Sequence, residues 1–112
     1  KSLDTSYVFN GSAKAWTNIN GEASGPASRD SFNVGSITDV SAGQINYAIS
    51  SAMVNDDYAR TVAAGDSGNR RVADTGAAGT HTTTLAVIIT EDMSGSLADV
   101  DDANGVLHGD LA

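Results

Sequence analysis

Short runs of alternating apolar and polar residues, separated by glycine, asparagine and aspartate, repeat along most of this chain. Ser6-Tyr7-Val8-Phe9 precedes Asn10-Gly11, a dipeptide suited to a tight hairpin turn, and so reads as a strand. From Ala13 to Asn20, Ala13, Ala15, Thr17 and Ile19 alternate with Lys14, Trp16, Asn18 and Asn20, the period of a half-buried strand. Residues 21–30 hold the only proline among Gly, Ser and Ala and read as a loop. Phe32-Asn33-Val34 and Ile37-Thr38 make the next strand, with Gly35-Ser36 as a bulge. A turn over residues 39–43 leads to the clearest alternation of all, in which Ile45, Tyr47 and Ile49 interleave with Gln44, Asn46, Ala48 and Ser50. The two strands around this turn are predicted to pair antiparallel, burying those three apolar side chains on one face.

Beyond a turn at Asn55-Asp56-Asp57, Tyr58–Ala64 continues the pattern. Residues 65–80 carry almost nothing apolar and read as one long loop, the kind of segment that is functional or mobile. Thr82–Thr90 is rich in Thr and β-branched residues and reads as a strand. A polar turn around Asp99-Val100-Asp101-Asp102 then precedes Val106-Leu107-His108. No window shows a 3.6-residue apolar period. The expected fold is all-β, a single antiparallel sandwich or barrel spanning residues 1–112.

Composition sharpens this picture. Only about a fifth of the 112 residues are Val, Ile, Leu or Phe, close to the level at which disorder sets in, and there is no cysteine to staple the fold. So lean a core favours burial against further copies, and a homotrimer is the expectation. The chain begins at Lys1 rather than Met, which reads as a fragment or processed product. Fourteen acidic against six basic residues give a net charge of −8, which argues against nucleic acid and against anionic membrane surfaces as partners. The longest apolar run, Leu85-Ala86-Val87-Ile88-Ile89, is too short to span a bilayer.

Candidate chemistry is sparse. Gly65-Asp66-Ser67-Gly68 spells the surroundings of a serine nucleophile, but in proteases with that motif the histidine and aspartate of the triad precede the serine, whereas both histidines here, His81 and His108, follow it. A polar turn is the better reading. Asp99, Asp101, Asp102 and Asp110 suggest calcium, yet the fifth position of such a loop is Ala103, glycine falls at the seventh (Gly105), and the last position is Asp rather than Glu. No metal, cofactor or catalytic residue is expected. Trp16, with Lys14 and Asn18 on its strand face, is a candidate for stacking on a sugar ring.

Two longer stretches carry a resemblance. Lys14-Ala15-Trp16-Thr17-Asn18-Ile19-Asn20-Gly21, followed by Arg29-Asp30-Ser31-Phe32-Asn33-Val34-Gly35-Ser36-Ile37-Thr38-Asp39, is similar to a recurrent β-domain at the C-terminal end of bacteriophage tail fibre and tail-associated proteins. The register continues through Gly43–Ile49 and Ala52–Ala59, and a fainter likeness covers residues 81–110. The chain departs where the family's Val and Phe are Thr17 and Ile19, and where an Asn-Gly is missing from the 39–45 turn. The resemblance implies a virion tail appendage that assembles as a homotrimer beside other tail proteins and acts at the host cell surface, binding a glycan or protein receptor. It implies no catalytic residue. Residues 60–80 lie outside the family pattern, so the 65–80 loop becomes the candidate receptor site, with Asp66, Asn69, Arg70 and Arg71 joining Trp16. Arginine forks suit the carboxylates or phosphates of surface glycans, and Asp and Asn suit sugar hydroxyls. The alternative is a structural virion protein, such as a capsid decoration protein or fibre spacer, that binds no receptor.

Overall fold

The computed structural model describes residues 2–22, 25–76 and 80–112. Eight strands form two antiparallel sheets of four: β1 (Ala15–Asn20), β2 (Ala27–Phe32), β3 (Val34–Ser41), β4 (Gln44–Ile49), β5 (Ala59–Gly65), β6 (Val72–Asp74), β7 (Leu85–Glu91) and β8 (Asp102–His108). The first sheet runs β2-β1-β8-β5 and the second β3-β4-β7-β6. Ala15, Ile19, Ala103 and Leu107 of one sheet and Ile45, Tyr47, Ile49, Ala86 and Ile88 of the other form a single buried cluster. The arrangement is that of a β-sandwich.

The strongest alternation in the sequence behaves as its period requires. β3 and β4 pair antiparallel from Val34↔Ile49 to Ser41↔Gln44, and the register shifts between Val34 and Ser36, at the expected bulge. Ile45, Tyr47 and Ile49 are 6%, 1% and 3% exposed. The run Leu85–Ile89 has no alternation because β7 is covered on both sides. Ala86 and Ile88 point into the core, while Gly76 lies against Val87 and Ile89 from outside.

Three expectations are corrected. Residues 5–11 form a helix, α1 (Thr5–Gly11), not a strand before a hairpin. The Asp4 carboxylate accepts from the Ser6 amide at 2.9 Å as its N-cap, and at the other end the Lys14 ammonium donates to the carbonyls of Phe9 and Ser12. Asp4 was the legible signal, outweighed by the β-forming Tyr, Val and Phe that follow it.

The expected strand through Phe32-Asn33-Val34 is broken at Asn33. This residue adopts φ 57°, and there the chain leaves one sheet for the other. Its amide donates to the carbonyls of Lys14 and Ser51 at 3.0 and 3.1 Å and accepts from the Ser51 N–H at 2.7 Å, tying both sheets to the corner.

The expected loops at 21–30 and 65–80 are shorter than predicted. β2 begins at Ala27, and β6 pairs with β7 at residues 72–74. Ala23, Ser24 and residues 77–79 of those loops lie outside the described residues.

Candidate functional site

The candidate loop starts where β5 ends, because Gly65, paired with Asp102, is the last residue of that edge strand. Gly68 takes φ 77°, and the chain reverses over Asp66-Ser67-Gly68-Asn69, with the Asn69 amide donating to the Asp66 carbonyl at 3.2 Å. The reversal carries Arg71 back to Asp66. Its Nε and Nη2 lie 2.8 and 2.7 Å from the same oxygen, Oδ2, and the Asp66 side chain is only 4% exposed. Asn69 Nδ2 adds a longer bond to that oxygen at 3.3 Å. Asp66, Asn69 and Arg71 therefore brace the turn. Arg70 is exposed and, among the described residues, has no hydrogen-bond or ion-pair partner.

Two further carboxylates meet Asp66. Glu22, just beyond β1, and Asp101, just before β8, place ligand oxygens within 4.8 Å of one another and of Asp66. Loss of water around Glu22, then the charges of Asp66 and Asp101, raise its pKa above the ordinary 4.5. At Asp66 burial also works upward, but the hydrogen bond and charge of Arg71 outweigh it and hold the group below the ordinary value. This is the acidic triplet among the described residues whose spacing suits a cation. With Arg71 already lodged on Asp66, it reads as an ion-paired cluster.

The tail aspartates do not converge. Asp99 accepts from the Gly43 amide at 2.8 Å, Asp101 from the Ser67 hydroxyl at 2.7 Å, and Asp102 faces Arg29 at 3.6 Å. Asp110 lies at the opposite end of the sandwich, beside Val54. Ser67 donates to the Asp101 carboxylate, and neither histidine is among its hydrogen-bond partners. His81 Nε2 sits 3.0 Å from the Asp56 carbonyl, with its ring edge-on to Tyr58, and His108 pairs with Ala59 at the far end of β5.

Trp16 is not part of this cluster. It stands half-buried on the outer face of the first sheet, between Phe32 of β2 and Val106 of β8. Four ladder rows separate it from Gly65, roughly 13 Å along the strands. Lys14, expected beside it, is buried beneath the end of α1, with its ammonium on the Phe9 and Ser12 carbonyls. Sequence reasoning missed Glu22 and Asp101 as neighbours of Asp66, since residues 22, 66 and 101 meet only through the β1-β8-β5 order.

No helix among the described residues is long and apolar enough to cross a membrane. Compared with known proteins, the chain matches no family model, no curated protein and no solved structure.

Proposed function

We propose that this chain is a non-enzymatic tail-appendage domain of a virion, assembled as a homotrimer, that attaches to the host surface through the turn at residues 66–71. The observation that carries the reading is the placement of that turn. It sits at the end of the sandwich formed by Gly65 and Asp102, whereas α1, Asp110 and Leu111 lie at the other end, six ladder rows or about 20 Å away along β8. A braced turn on a rigid sheet, followed directly by the exposed Arg70, which has no ion-pair partner among the described residues, is suited to hold an anionic sugar group. Arg70 is the contact residue in this reading, and Asp66, Asn69 and Arg71 position it.

The test is binding of the labelled domain to an array of bacterial surface glycans bearing carboxylates or phosphates. Arg70→Ala is expected to lose binding at least tenfold while the assembly keeps its mass. Undiminished binding by Arg70→Ala would remove the turn from the receptor site.

A structural virion protein is the second reading. It is favoured by the Asp66–Arg71 pair, which satisfies one of the two loop arginines internally. Absence of any glycan or cell binding by an intact trimer would select it.

A further inference from the structure

Helix α1 buries none of its seven residues. An isolated helix shorter than about 12 residues is marginal in water, so α1 needs packing that this chain alone does not supply. Its large side chains are nevertheless apolar: Tyr7 is 73% and Phe9 65% exposed, and Leu3 just before the helix is 70% exposed.

Val8 and Phe9 form one wall of a groove of about 820 Å³, whose other walls include Phe32, Val54 and Leu111. Tyr7 is not in the lining and projects from another side of the helix. The groove lining contains one lysine, Lys14, and one aspartate, Asp110. In a chain of net charge −8, this is a face on which copies can meet without strong repulsion. Leu3, Tyr7, Val8, Phe9, Phe32, Val54 and Leu111 together expose on the order of 700 Å², beyond the ~300–600 Å² patch of a typical monomer and near the ~800 Å² that each partner buries in a standard interface.

We infer that this end of the sandwich is the interface between copies of the chain, with Leu3 and Tyr7 of one copy seated in the groove of the next. Knob and groove are different surfaces, so the contact is heterologous and closes as a ring. The inference rests on the trimeric part of the reading above and names the surface the trimer uses; it is independent of the receptor.

Sedimentation equilibrium of the 112-residue chain at micromolar concentration tests it. The wild type is expected at trimer mass. Phe9→Asp in the groove and Tyr7→Asp on the knob should each fall threefold to monomer mass with an unchanged β-sheet circular dichroism spectrum. Val40→Asp, at an exposed valine of β3 outside the groove, should leave the trimer intact. A trimer that survives both Phe9→Asp and Tyr7→Asp overturns the interface but not the assembly, whereas a monomeric wild type overturns both. Dissociation by Val40→Asp as well would also overturn the interface, since it reports general repulsion rather than a contact. Should Phe9→Asp lose its spectrum, Tyr7→Asp decides alone, because that side chain is 73% exposed and outside the groove lining. Glycan binding, read separately, leaves the receptor assignment untouched by any of these results.

Discussion

The ring of Tyr47, on β4, lies directly beneath the bare backbone of Gly105 on β8 of the opposite sheet. A methyl group at position 105 would stand 2.7 Å from the Tyr47 hydroxyl oxygen and 3.0 Å from the ring carbon that bears it. Glycine is required there for close approach, and Tyr47, 1% exposed, has nowhere to retreat. Gly105→Ala is expected to destabilise the fold by about 1–3 kcal/mol. Because the hydroxyl is the nearest atom, Tyr47→Phe in the same chain should recover part of that loss. Urea denaturation of the two single variants and the double variant measures the coupling.

Burial in the sandwich also pushes the Tyr47 phenol well above its ordinary value near 10, with nearby Tyr58 adding to the rise; Tyr58 itself is raised mainly by burial. A folded-state pKa above the unfolded one gives stability that is complete below pH 10 and is lost as pH climbs toward the folded value. The urea midpoint should therefore hold up to about pH 9 and fall above pH 10. Tyr47 should contribute about 1.4 kcal/mol per pH unit to that fall. Tyr47→Phe should flatten the decline, and an unchanged slope would contradict the assignment.

Asn33 joins the sheets through three side-chain hydrogen bonds made from a left-handed backbone. Asn33→Ala removes the bonds and adds backbone strain, for an expected loss of about 3 kcal/mol. Asn33→Gly relieves the strain but not the bonds, and should cost about half as much. Equal losses in the two variants, read from denaturation midpoints, would show that the φ of 57° carries no penalty.

At the turn end, carbon-detected NMR titration should find Glu22 above 4.5 and Asp66 below 3.8. The signs are opposite. Asp66 stabilises the fold above its unfolded pKa and loses that contribution as pH falls through its folded value. The contribution of Glu22 is present below its unfolded pKa and lost as pH rises through its folded one. Asp66→Asn removes the nearest like charge and should bring Glu22 down toward 4.5. A Glu22 value that stays high in that variant would assign its shift to loss of water and the Asp101 charge rather than to Asp66.

The period-two pattern by itself determined most strands and the β3–β4 register. Slipping Ile45, Tyr47 and Ile49 by one residue would place all three in water, so local alternation leaves a single solution. Residue propensity was insufficient where end caps or tertiary contacts outvoted it. The Tyr-Val-Phe segment became a helix once Asp4 capped its start and Lys14 reached back to its last carbonyls. The run through Asn33 broke because its side-chain hydrogen bonds with the backbones of Lys14 and Ser51, distant in sequence, made a left-handed corner worth adopting. Asp66, Asn69 and Arg71 were legible as a polar constellation because they lie within six residues. That Arg71 turns inward onto Asp66, that Glu22 and Asp101 join them, and that Trp16 stands four rows away were decided by the order β2-β1-β8-β5. Strand order is fixed by which faces the whole chain can bury together, and no local window contains that information.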